Sequence, residues 1–147
     1  MGNNRFTGSI PTAIYQMARL EELELQFNNL VGTLSTSLAE LSHLELLTVQ
    51  GNKLSGEVPD AFKRMTILEH LHLQNNQFTG TIPVSMGSMR SLRYLSAQSN
   101  PGLGGTMPAN ICTLTTSHSL THLSVDCSNT TVGYSTGVVC SCCTQCF

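Results

Sequence analysis

Three groups of residues in this 147-residue chain carry side chains able to do chemistry. The first is six cysteines, Cys112, Cys127, Cys140, Cys142, Cys143 and Cys146, with none before them. An even number of thiols suits three disulfides, whose pairing the spacing leaves open. The rival is zinc, because four thiolates fall within seven residues. However, Cys140-Ser141-Cys142-Cys143-Thr144-Gln145-Cys146 lacks the paired CxxC spacing of closed zinc sites. Disulfides are favoured over zinc or free thiols, and they imply an oxidising compartment. In such a compartment the sequon Asn129-Thr130-Thr131 is a glycosylation acceptor at Asn129.

The second group is His70 and His72, two apart and so on one face of a strand, with His122 further on. Histidine titrates near neutrality, so a pH-responsive contact is chemically open to them. A metal site needs a third close ligand and none is evident, so no metal is expected. The favoured reading is solvated histidines on a polar sheet. The third group, His122, Ser124 and Asp126, has the residue types of a hydrolytic triad. At alternate positions of one strand they point the same way in a row, whereas a triad must converge. No nucleophile elbow, HExxH or phosphate-binding glycine loop is present. The chain reads as a non-enzyme with no cofactor.

What positions these groups is a repeat. Leu20, Leu44, Leu68 and Leu92 are spaced by 24 residues, and the period stretches to 28 before Leu120. Each unit returns the pattern LxxLxLxxNxL, as in Leu68, Leu71, Leu73, Asn76 and Phe78. Leu23 and Leu25 alternate with Glu24 and Gln26, which predicts a strand of period two. One such unit cannot bury its apolar face alone, so units must stack. Asn28, Asn52, Asn76 and Asn100 fall where the strand turns. There a buried amide can bridge the backbone groups of neighbouring coils. Proline in the return segment is expected to fix φ where no helix is wanted.

These residues identify a resemblance to the leucine-rich repeats. The second halves Gly8-Ser9-Ile10-Pro11, Gly56-Glu57-Val58-Pro59, Gly80-Thr81-Ile82-Pro83 and Gly105-Thr106-Met107-Pro108 resemble the plant-type subfamily. Gly32-Thr33-Leu34-Ser35 departs by lacking the proline. The resemblance covers residues 1 to about 125. It implies an α/β repeat solenoid, a horseshoe with a parallel concave sheet and an irregular or 310 convex side. Residues 1–19 are then a truncated first repeat, 20–119 four repeats, and 120–147 the last strand and a cysteine-rich cap. The cap is similar to those of extracellular members, most closely algal ones.

The same resemblance places four rows of side chains on the concave face. They read Glu22, Leu46, His70, Tyr94, His122; Glu24, Thr48, His72, Ser96, Ser124; Gln26, Gln50, Gln74, Gln98, Asp126; and Phe27, Gly51, Asn75, Ser99, Cys127. Five strands at the usual parallel spacing span about 20 Å, a small platform for a partner. The glutamines either hydrogen-bond one another along their row or bind a ligand, and the first is favoured. The candidate ligand contacts are Glu22, Glu24, Leu46, His70, His72, Gln74, Tyr94, Gln98 and His122, with Tyr94, His70 and His72 at the centre. On the convex side Ser9, Thr33, Glu57, Thr81 and Thr106 form a hydroxyl-rich column beside the glycines.

Composition narrows the function. Only 11% of residues are charged and the formal net charge is −2, which excludes nucleic-acid binding by phosphate neutralisation. No apolar run is long enough to span a bilayer, and the first residues are not a signal peptide. The first repeat begins mid-motif at Asn4, so the chain reads as a fragment whose open edge invites association. The resemblance implies an extracellular or cell-surface module of receptor-like type, binding a peptide, protein or glycan on its concave face. No kinase motif lies within these residues. The alternatives are a secreted inhibitor of wall-degrading hydrolases, or an adsorber of ice or crystalline polysaccharide.

Overall fold

A computed structural model of the chain describes residues 4–117, 120–127 and 137–147. In chain order the elements are β1 (Thr7–Gly8), a 310 helix (Thr12–Gln16), β2 (Glu22–Glu24), β3 (Asn29–Leu30), a 310 helix (Thr36–Glu40), β4 (Leu46–Thr48), β5 (Ser55–Glu57), a 310 helix (Asp60–Arg64), β6 (His70–His72), β7 (Gln77–Thr81), a 310 helix (Val84–Ser88), β8 (Tyr94–Ser96), β9 (Gly102–Thr106), α1 (Ala109–Ser117), β10 (His122–Val125), β11 (Val138–Val139) and β12 (Gln145–Cys146). The even-numbered strands form one parallel sheet in the order β12-β10-β8-β6-β4-β2. The odd-numbered strands pair in parallel on the other edge, as β1-β3 and as β11-β9-β7-β5. The chain is therefore a solenoid of stacked coils, with the six-stranded sheet along one edge of the return segments and the two smaller sheets along the other.

The leucines of the repeat make the core. Leu47, Leu71 and Leu95, opposite one another in the large sheet, are fully buried, as are Leu44, Leu68, Leu73 and Phe78. Every coil adds the same apolar column, so burial is continuous along the stack. It loosens at the first coil, where Ile14 and Leu20 are half-buried and Met17 and Phe6 exposed. An apolar groove lined by Phe6, Ile10, Pro11, Ile14, Leu25 and Leu30 opens there.

The buried asparagines act as the sequence implies. Asn76 Oδ1 accepts the Leu54 N–H at 3.0 Å, and Nδ2 donates to Val49 O at 3.0 Å and Leu73 O at 3.1 Å. Asn52 and Asn100 repeat that set one coil back and one coil on. Each side chain thus satisfies backbone groups on two coils that no ladder reaches.

Two local expectations need correction. Proline does not exclude a helix from the return segment. Pro11, Pro59 and Pro83 sit at the N-cap of the 310 helices with φ of −63°, −71° and −63°. Their fixed φ suits the entry, and at the cap the absent N–H is not missed. In the repeat without proline, Ser35 takes the cap and its Oγ accepts the Ser37 N–H at 3.0 Å. The last return segment is an α-helix rather than a 310 turn. The longer spacing before Leu120 gives it the extra residues, and Ile111 and Leu114 bury one face.

Candidate functional site

The first two outward rows come from β2, β4, β6, β8 and β10, whose register sets Glu22, Leu46, His70, Tyr94 and His122 side by side. Strand spacing of about 4.8 Å makes each row a continuous ladder. Four of the nine predicted contacts converge. Tyr94 is the hub: its ring lies 4.1 Å from His122 at 12°, 5.8 Å from His70 at 26°, and 5.5 Å from His72 at 31°. The two β6 imidazoles are nearly parallel, with centroids 6.3 Å apart. These histidines are half-buried against an aromatic neighbour, not the solvated pair the sequence suggested. The reason is size: three imidazoles and a phenol on adjacent strands cover one another's faces.

That crowding changes the second row. Thr48, Ser96 and Ser124, expected at the surface, are 7%, 3% and 0% exposed. The rings and amides of the flanking rows close over the short hydroxyls, which form a polar floor. Ser124 donates to Gln98 Oε1 at 2.9 Å and lies 3.2 Å from Ser96 Oγ. With its single hydrogen committed to an acceptor-only oxygen, Ser124 accepts from His122 Nε2, 3.2 Å away. His122 and Ser124 therefore do meet, contrary to the expectation of a non-converging row. Asp126 does not join them, because its Oδ2 accepts the Asn100 backbone N–H at 2.9 Å. A fully buried Ser124 cannot reach a substrate, so the triad geometry fails at two of its three members.

The glutamine row is not an amide ladder. Gln26 Oε1 accepts from Thr48 Oγ1 at 2.8 Å, and Gln98 is tied to Ser124. The Oε1 atoms of Gln50 and Gln74 are buried without a hydrogen-bond partner. Glutamine has enough χ freedom to reach the hydroxyl floor, and that competes with amide stacking. The fourth row lies at the strand end, with Phe27, Asn75 and Ser99 exposed. Phe27, Gly51, Asn75 and Ser99 all take left-handed φ, between 53° and 67°, to turn the chain toward the buried asparagine. Of the remaining candidates, Glu22 and Glu24 are exposed on β2, two strands from His70 and His72, and Leu46 is half-buried between them.

Burial holds His72 below the ordinary imidazole range, and the charges of His70 and His122 add to it. Burial also lowers His122. No set of three His, Cys, Asp or Glu residues suited to a metal occurs among the described residues.

All six cysteines are paired. Cys112 of α1 joins Cys142, Cys127 after β10 joins Cys146 of β12, and Cys140 joins Cys143. The tail thereby lays β12 on β10 as a sixth strand, which the sequence did not reveal. Thr144 Oγ1 accepts Leu123 N–H at 2.8 Å and donates to Leu123 O at 3.0 Å beside it. Asn129 lies outside the described residues. No helix among the described residues is long and apolar enough to cross a membrane.

The family described as leucine rich repeat matches residues 42–101, and a second leucine rich repeat description matches residues 19–41. No curated protein sequence matches the chain. The fold is similar to the plant peptide hormone receptor RGFR1 in complex with RGF2, at 32% identity and TM-score 0.73 over 84% of this chain and 19% of that one. It is similar to the Arabidopsis receptor kinase HAESA, solved with the peptide hormone IDA and the co-receptor SERK1, at 34% identity and TM-score 0.74 over 84% and 20%. It is also similar to a plant ice-binding protein, at 26% identity and TM-score 0.74 over 87% and 39%. The chain spans about a fifth of the length of the two receptors.

Proposed function

Because the chain belongs to the leucine-rich-repeat proteins, we propose that it is an extracellular recognition module whose concave face binds a peptide or protein segment. The observation that carries this reading is the ring cluster of His70, His72, Tyr94 and His122 on the outward side of a parallel sheet. Half-buried aromatic rings held by neighbours are pre-ordered, and such anchors dominate many interfaces. The similar receptors whose complexes include peptide hormones support the reading. Three disulfides support an oxidising, extracellular setting.

Peptides selected by display on the folded, oxidised chain test it. Tyr94→Ala is expected to weaken the selected peptides by at least about tenfold, the scale of one hot-spot residue. Unchanged affinity in Tyr94→Ala would remove the concave face from consideration.

A second reading is favoured by the likeness to the ice-binding protein. Thr33, Glu57, Thr81 and Thr106 are exposed along the odd-numbered strands or beside them. A Cβ on Gly56 would come within 2.8 Å of Thr33 Cγ2, so glycine there leaves room for the neighbouring coil's side chain to lie flat. Under this reading Thr81→Tyr abolishes adsorption to ice or crystalline polysaccharide and leaves peptide binding intact.

A further inference from the structure

The ring cluster has a chemical consequence that goes beyond a contact patch. Tyr94–His122, His70–Tyr94 and His70–His72 are stacked pairs, and neighbours in a row present their faces to one another along it. The ring edges are then what the concave side offers to a ligand, with the exception of His122 Nε2, which meets Ser124 in the floor. Three imidazoles share this small patch around one phenol.

Among the described residues, the surrounding elements bring no carboxylate side chain into the cluster. β4 contributes Leu46 and Thr48, β8 adds Ser96, β10 adds Ser124, and β12 adds Gln145. Glu69 beside His70 is paired with Arg93 at 3.3 Å, and Asp126 is held by the Asn100 amide. Glu45 precedes β4 and is exposed. Glu22 and Glu24 are two strands away. The concave face is thus polarised, acidic at β2 and able to become cationic at β6 to β10. Protonating the cluster places like charges beside one another, with no counter-charge supplied among the described residues.

Resting on the concave-face reading above, we infer that His70, His72 and His122 around Tyr94 form a site for a carboxylate side chain of an acidic peptide segment, bound together with protons taken from solvent. The ligand carboxylate remains ionised and supplies the absent counter-charge, while the imidazoles become imidazolium. Stacking of His122 on the Tyr94 ring favours the imidazolium by the ring quadrupole. The lowered proton affinity of His72 and His122 in the free protein agrees with this, since it is what a counter-anion would reverse. A peptide is favoured over a sugar acid because the amide row of Gln74 and Gln98 follows the same two strands toward their ends. With Gln74 Oε1 buried and Gln98 Oε1 taken by Ser124, these amides present Nε2 donors, which suit the carbonyls of a peptide backbone.

Linkage sets the size of the effect: affinity rises by up to about tenfold per pH unit for each proton taken up. The probe is an acetylated, amidated hexa-aspartate, with hexa-asparagine as its neutral counterpart, read by imidazole Cε1–H signals of the folded, oxidised chain. Between about pH 7.5 and about pH 5.5, across the histidine range, hexa-aspartate should gain at least about tenfold in affinity. It should raise the midpoints of His72 and His122, while exposed His43, whose Nδ1 lies 2.9 Å from Ala18 O, stays unmoved. His72→Gln should flatten the pH dependence, and hexa-asparagine should shift nothing. Equal affinity at both pH values, or midpoints unmoved by hexa-aspartate, overturns the inference. An oligogalacturonate that moves the midpoints where hexa-aspartate fails also overturns it, in favour of a glycan. The underlying reading fails separately, if Tyr94→Ala leaves selected peptides bound.

Discussion

At the scale of single residues, the polar side chains divide into those that hold the coils and those that face outward. Asn76 belongs to the first kind. It serves Leu54, Val49 and Leu73 on two coils while only 5% exposed. Asn76→Ala strands one N–H and two carbonyls in the interior, at about 1–3 kcal/mol for a buried polar group left unmade. Urea unfolding should show a loss of roughly 3 kcal/mol, and a loss under about 1 kcal/mol would mean the neighbouring coils re-pair without it. The outward rows behave differently. Gln50 and Gln74 tolerate buried, unpartnered carbonyl oxygens, and their long side chains are placed by competition among neighbours rather than by the repeat. That is why the asparagine bridges were legible from spacing and the glutamine contacts were not.

At the scale of elements, the strand end is the demanding position. Phe27, Gly51, Asn75 and Ser99 share one left-handed conformation because each must turn the chain into the buried asparagine that follows. Asn and Gly accept that region readily, and Phe does not. Gly51 carries a second constraint, since a Cβ there would lie 2.6 Å from the Phe27 ring. Gly51→Ala is therefore expected to destabilise the chain by more than about 1 kcal/mol, through its φ and through displacement of Phe27. Phe27→Gly removes the clashing ring but leaves the φ cost at position 51, so the double variant should recover part of the stability lost in Gly51→Ala. Additive losses in thermal unfolding would refute the coupling. Elements also show where the pattern misled: the return segments begin on proline, because a locked φ suits a helix entry as well as it forbids a helix interior.

For the whole molecule, the two ends of the stack differ. At the far end β12 covers β10, and Cys127–Cys146 fastens the two. At the near end the apolar groove around Phe6, Ile10 and Leu25 is open. In a solenoid each coil is supported only by its neighbours, so a covered end protects the coils behind it. Replacing Cys127 and Cys146 together by alanine opens a loop of separation 19. The expected cost is about 3 kcal/mol in the chain-entropy account. Amide exchange should then quicken first in β10 and spread toward β8. Uniform quickening across all strands would show that the stack unfolds as a single unit.

The sequence by itself determined the coil: its period, its leucine core, its asparagine bridges and the strands that carry the candidate site. These follow from local rules, because whether a residue points inward depends only on its place in the repeat. The tertiary structure decided which outward side chains meet. His70, Tyr94 and His122 are about 24 to 28 residues apart in sequence and become neighbours only through strand register. Their sizes then decide that Ser96 and Ser124 are covered and that His122 meets Ser124. The cysteine pairing was likewise a tertiary matter, since six thiols in one tail have many pairings and only the path of the chain around the last coil selects one.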